Sequence, residues 1–196
     1  MNIIESFYNS LSAHPSDINE HLPTLKKYAE KCDHVTEMGV RNVVSTIALV
    51  FGKPKTLVSI DLFHPSHYGD MGRLNLVQEY AKYNNIDFKF VLGNTLEIDI
   101  EPTDLLFIDT LHKYGQLKQE LERHAKNVKK YLIFHDTTTF ENKDEGEYYQ
   151  TKNLSTEKVG LWPAIQEFLD ANPEWSILER FTNNNGLTVL HKQANT

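Results

Sequence analysis

The chain has 196 residues, which at roughly 150 residues per domain predicts one domain over 1–196, and its 40% hydrophobic and 24% charged residues suit a globular fold with a real core. Its 27 acidic residues against 20 basic ones give a net charge of −7, which argues against broad binding to nucleic acid or anionic membrane. The single cysteine, Cys32, excludes an intramolecular disulfide framework or a cysteine-based zinc cluster. With no secretory leader and no apolar run near ~18 residues, the sequence predicts a cytoplasmic protein, with no nucleic-acid or membrane partner.

Residues 1–31 read as helical, punctuated by Pro15 and Pro23, and are expected to form an N-terminal cap in which Phe7 and Tyr8 belong to the core. Short β-rich runs follow at 34–40, 56–62, 87–92, 104–109 and 131–135. Leu57-Val58-Ser59-Ile60 and Leu105-Leu106-Phe107-Ile108 are nearly continuous apolar runs, as expected of strands covered on both faces in a parallel sheet. Helix-like segments alternate with them at 43–51, 72–83 and 114–128, where Leu117, Leu121, Ala125 and Val128 recur at helical spacing.

This order predicts an α/β, Rossmann-like, doubly wound sheet of about seven mostly parallel strands. A last helix at 162–171 precedes two strands, 175–181 and 187–192, joined through Asn185-Gly186, a hairpin signal. The sheet should therefore close with an antiparallel hairpin. Residues 137–158 are polar, carry Phe140, Tyr148 and Tyr149, and read as a mobile loop or a lid.

In an open parallel sheet, ligands bind beyond the carboxyl ends of the strands. Those ends carry Glu37-Met38-Gly39-Val40-Arg41 with Ser45, then Asp61, Gly93-Asn94-Thr95, Asp109-Thr110-Leu111-His112 and His135-Asp136-Thr137. One aspartate after a strand is most often a helix cap or turn former, so the argument rests on five polar ends sharing one rim. Against the dinucleotide fingerprint G-x-G-x-x-G, the second and third glycines are replaced by Arg41 and Val43, which disfavours a bound pyrophosphate and an NAD enzyme. Asp61 stands where an acid pairs with ribose hydroxyls, and Glu37 would attract a cationic ligand.

These motifs resemble the class I S-adenosylmethionine-dependent methyltransferases, in the branch of macrocin O-methyltransferase and cephalosporin-hydroxylase-like proteins, with catechol O-methyltransferase more distant. The resemblance spans roughly residues 34–192. It implies S-adenosylmethionine-dependent O-methylation, and the polar, tyrosine-bearing segment 137–158 points to a hydroxylated small molecule, a sugar or glycosylated metabolite, as the acceptor. Glu37, Gly39 and Arg41 would form the first S-adenosylmethionine motif, with Ser45 near the methionine carboxylate, Asp61 on the ribose, Asn94 and Thr95 by the adenine, and Asp109 beside them. Metal-dependent members would hold Mg²⁺ or another divalent cation at positions matching Asp109, His135 and Asp136, where His135 replaces an acid and favours a metal that accepts imidazole. His112 matches the general base. His64 and His67 read as surface or substrate-loop residues. The rival reading is a non-catalytic cofactor- or ligand-binding protein on the same fold; oligomeric state is left open.

Overall fold

A computed structural model describes residues 3–146, 154 and 156–193. Tyr148 and Tyr149 of the expected loop lie outside them. Seven strands form one sheet in the order β3-β2-β1-β4-β5-β7-β6. Strands β1 (His34–Met38), β2 (Thr56–Asp61), β3 (Asp87–Leu92), β4 (Thr103–Ile108) and β5 (Val128–His135) are mutually parallel. The hairpin of β6 (Trp175–Phe181) and β7 (Leu187–Lys192) closes the sheet, with β7 running antiparallel beside β5. The expected α/β doubly wound architecture is present, and the strand order reverses between β1 and β4, the crevice where such sheets bind ligands.

Each inner strand feeds two apolar layers. Along β4, Leu105 and Phe107 join the layer under α1 (Ile3–Ala13), α2 (Leu22–Ala29), α3 (Val44–Phe51) and α4 (Met71–Tyr83). Leu106 and Ile108 join the layer under α5 (Tyr114–His124) and α6 (Leu161–Ala171). That alternation explains the unbroken apolar runs: both faces of the strand are covered. Cys32 is buried, and burial pushes its thiol up to about 12. Tyr8 stacks on Phe51 with ring centroids 4.8 Å apart, whereas Phe7 is exposed, a correction to the expectation that both are core. A second correction concerns β5, which begins at Val128 and not at Tyr131, because the helix ends at His124, four residues earlier than its spacing suggested.

The hairpin turn holds the N-terminal segment in place. Asn185 has φ 70° and Gly186 φ 94°, the left-handed pair such a turn demands, and a Cβ on Gly186 would stand 2.3 Å from Thr138 Oγ1. Asn184 Nδ2 donates to the Ser16 carbonyl at 2.7 Å and Asn185 Nδ2 to the Asp17 carbonyl at 3.0 Å. Thr138 and Thr139 donate their backbone N–H groups to the Asn185 carbonyl. One turn thus fastens the cap to the chain that leaves β5. No helix among the described residues is long and apolar enough to cross a membrane.

Candidate active site

A cleft of about 1550 Å³ opens over the carboxyl edge of β1, β2, β3 and β4, walled on one side by residues 14–18 of the cap. Its lining includes Gly39, Arg41, Ser45, Asp61, Asn94, Thr95, Asp109, His112 and Asp136. Of the expected cofactor, metal and catalytic residues, Glu37 and His135 do not line it.

The loop from β1 to α3 is sharply bent. Gly39, Arg41 and Val43 have φ of 87°, 44° and 63°, and for a β-branched residue such as Val43 this conformation is strained. Asp61 at the end of β2 holds the bend: Oδ2 accepts the N–H groups of Val40 at 2.7 Å and Arg41 at 2.9 Å, and Oδ1 accepts that of Phe63 at 2.8 Å. Gly39 lies so close to β4 that an added Cβ would be 1.9 Å from the Asp109 carbonyl oxygen. The two halves of the cleft are therefore in backbone contact. Arg41 reaches outward to Asp17 at 3.3 Å.

Glu37 is fully buried beneath the loop, where its carboxylate accepts hydroxyl bonds from Ser45 at 2.5 Å, Ser59 at 2.6 Å and Thr46 at 2.7 Å. Burial pushes its carboxyl up to about 7, with the three hydroxyls partly opposing the shift. The expectation that Glu37 meets a ligand directly is corrected: it braces α3 and aims Ser45. Asn94 caps the turn after β3 by accepting from Leu96 N at 3.0 Å. Thr95 donates at 2.6 Å to Glu120, a second fully buried carboxylate. His67 stacks on Phe63 in the exposed loop after β2, and His64 bonds Ser66, as befits loop residues.

On the other side of the switch point, Asp109, His112, His135 and Asp136 converge. His112 Nε2 is 2.9 Å from Asp136 Oδ2 and 3.2 Å from Asp109 Oδ1, and its Nδ1 is 3.0 Å from Glu145 Oε2. Burial disfavours the charged ring, but these three carboxylates outweigh it and push His112 up to about 12. His135 behaves alike, pushed up to about 10 by Asp109 and Asp136 against the cost of burial. The two imidazoles in turn hold both aspartates below the usual carboxylate range despite burial. Each of Asp109, His112 and Asp136 offers one ligand atom, all within 4.8 Å of one another.

This donor set fits a divalent cation. Two carboxylates and an imidazole are ordinary ligands, and the buried Nδ1 of His135, without a hydrogen-bond partner among the described residues, lies 3.5 and 3.4 Å from the same two aspartates. The sequence reading missed Glu145, and it placed Phe140 in a loop or lid without foreseeing its stack on His112, because that segment has no periodicity. Spacing offered one cue only, Phe140 standing one helical turn beyond Asp136.

No family model matches the chain, and no curated protein matches it. Solved structures do. The O-methyltransferase TomG from Streptomyces achromogenes, in complex with SAM, is 12% identical with a TM-score of 0.62, over 99% of this chain and 91% of that one. The O-methyltransferase from Bacillus cereus, in complex with SAH, is 16% identical with a TM-score of 0.59, over 97% and 89%. The SAH-bound methyltransferase PaMTH1 from Podospora anserina is 13% identical with a TM-score of 0.57, over 99% and 89%. The chain shares its fold with these solved methyltransferase structures.

Proposed function

We propose that the chain is an S-adenosylmethionine-dependent O-methyltransferase acting on a hydroxylated small molecule, a sugar or glycosylated metabolite, with a divalent cation on Asp109, His135 and Asp136. One observation carries this reading: the bent loop held by Asp61 and the carboxylate–imidazole cluster share one cleft and touch at Gly39 and Asp109. When bound, S-adenosylmethionine supplies an electrophilic methyl group on a positively charged sulfur. When bound, a divalent cation supplies charge that lowers the pKa of a substrate hydroxyl.

The chain's own residues orient and hold protons. Asp61 uses three of its roughly four lone-pair positions on backbone N–H groups, which fixes the carboxylate for a ribose hydroxyl. Ser45 spends its proton on Glu37, so its oxygen faces the cleft as an acceptor for an ammonium group. A base at His112 must have Nε2 free of its proton. With Asp109 and Asp136 engaged as ligands, Glu145 is the carboxylate that orients the ring through Nδ1, and Nε2 is the atom that takes the hydroxyl proton. The gain over solution comes from alignment and fixed charges.

The test is calorimetric titration with S-adenosylhomocysteine, with and without Mg²⁺ and after chelation. Binding that disappears in Asp61→Ala supports the reading, and absence of binding in every condition overturns it. One observation favours the rival binding protein: His112 already serves as the cation between three carboxylates. On that reading S-adenosylhomocysteine binds, while His112→Ala and Asp109→Ala leave the bound state unchanged.

A further inference from the structure

Glu120 is fully buried on α5 and takes no part in the chemistry described above. Its Oε1 accepts from Thr95 Oγ1 at 2.6 Å, Gln116 Nε2 at 2.7 Å and Thr110 Oγ1 at 3.0 Å, and its Oε2 accepts from Thr110 Oγ1 at 2.9 Å. Those partners come from the loop after β3, the first turns of α5 and the loop after β4, and all of them line the cleft. A buried carboxylate thus stands directly behind one stretch of the cleft wall.

Fastening the loop after β3 does not call for that charge. His124 and Arg123 on the same helix already hold it by its main-chain carbonyls: His124 Nε2 donates to Thr95 at 2.7 Å, Arg123 Nε to Ile98 at 2.7 Å and Arg123 Nη2 to Glu97 at 2.7 Å. Burying a carboxylate costs free energy that a neutral residue avoids. What the charge adds is a direction for protons. A carboxylate only accepts, so the Thr95 and Thr110 hydroxyls donate to it and the Gln116 amide turns its nitrogen toward it. The other N–H of that amide goes to Thr95 Oγ1 at 3.2 Å. Hydroxyl protons and amide hydrogens are drawn away from the cleft together. What these side chains can offer a ligand is lone pairs, on Thr95 Oγ1, Thr110 Oγ1 and Gln116 Oε1.

Such a wall matches a ligand group that donates. The hydrogen-bond donors of S-adenosylmethionine are its ammonium, its ribose hydroxyls and the exocyclic amine of its base. The first is matched above by Ser45 and the second by Asp61, which leaves the amine. We propose that Glu120 is a positioning residue which, through Thr95, Thr110 and Gln116, makes this wall an acceptor for the exocyclic amine of adenine and so rejects hypoxanthine, which carries an oxygen in that place. An oxygen set against these lone pairs leaves them without a donor. The inference rests on the S-adenosylmethionine reading above and names what that site uses to tell one base from another.

Wild-type protein and Glu120→Gln are titrated calorimetrically with S-adenosylhomocysteine and with S-inosylhomocysteine, in which an oxygen replaces the amine. The wild type should prefer the adenosyl ligand by at least about tenfold, the scale set by a buried group left unpaired. In Glu120→Gln the new amide donates to a threonine oxygen and releases a hydroxyl proton to the cleft, so the preference should shrink by about tenfold. A residue that merely braced the loop would weaken both ligands alike and leave their ratio untouched. Thr110→Val removes one acceptor with little change of volume and should shrink the ratio too; it decides the matter if Glu120→Gln does not fold, an unchanged ratio then counting against the inference. A wild type without the preference, or an unchanged ratio in folded Glu120→Gln, overturns the inference while the proposed function stands. Binding of neither ligand by the wild type overturns both.

Discussion

The ring of Phe140 lies parallel to the imidazole of His112, with centroids 4.7 Å apart and planes 3° from parallel. Phe140 covers one face of the ring while its edge nitrogens meet Asp109, Asp136 and Glu145. Aromatic pairs of this kind contribute about 0.5–1.5 kcal/mol beyond their buried area. Phe140→Leu should therefore lower stability by about 1 kcal/mol in urea denaturation, and an unchanged midpoint would show that the stack carries no weight.

The buried cluster predicts a pH profile for chelated protein. His112, raised to about 12, and His135, raised to about 10, bind their protons more tightly in the folded chain. Their contribution is full below the ordinary value of 6.5 and fades as pH climbs toward those raised values. Glu37, raised to about 7 from 4.5, contributes in the same sense, losing its share between those two values. Asp109 and Asp136 are lowered from 3.8, so their contribution holds above that value and is lost below it. The urea midpoint should peak on the acid side of neutrality and decline toward pH 9. A midpoint that rises from pH 7 to 9 contradicts this account.

Gly39 is the point where the two halves of the cleft meet. With φ 87° and the Asp109 carbonyl 1.9 Å from where a Cβ would stand, Gly39→Ala forces the loop and β4 apart. The expected result is a loss of about 1–3 kcal/mol in stability and much weaker S-adenosylhomocysteine binding. Thermal unfolding and calorimetry on one preparation test both.

Asp61→Asn is a more conservative probe of the same loop. The amide keeps one acceptor oxygen and turns an NH₂ group toward a backbone donor that the carboxylate satisfied. Hydrogen bonds to charged groups contribute about 1.5–3 kcal/mol, so a stability loss in that range should accompany at least about tenfold weaker cofactor binding. Binding at wild-type strength would remove Asp61 from the proposed ribose contact.

The clasp at the hairpin turn separates backbone from side-chain effects. Asn185→Gly preserves the left-handed backbone but loses the side-chain bonds to Asp17 and Thr139, whereas Asn185→Ala loses both, at a further cost of about 1 kcal/mol. In hydrogen exchange, residues 15–20 should lose protection in both variants. Protection unchanged in Asn185→Gly would assign the clasp to backbone contacts alone.

The sheet was legible because its grammar is local. Leu105-Leu106-Phe107-Ile108 can be apolar throughout only if both faces are covered, and Asn185-Gly186 can hardly be other than a tight turn. Asp61, Asp109, His112 and Asp136 were legible because a parallel sheet sends its carboxyl ends to one rim. Glu37 misled for a physical reason: the sequence shows an acid before the turn but not the hydroxyls of Ser45, Thr46 and Ser59 that consume it. Glu145 was invisible and Phe140 was seen only as part of a loop or lid, because their segment has no period and their roles come from contacts with His112 across the fold. The strand start at Val128 was hidden because Ala125 and Val128 continue the spacing of α5.

Strand β7 lies between β5 and β6, pairing Leu187 with His135 and His191 with Tyr131. It is the latest strand in chain order, yet it supplies the flank of the strand that bears His135, and the turn before it carries the Asn184 carbonyl behind that imidazole. During synthesis, the ribosome will have released every other strand before this neighbour arrives. A chain cut short before Leu187 is therefore left with β5 as an open sheet edge, the kind of unpaired edge that recruits strands of other chains.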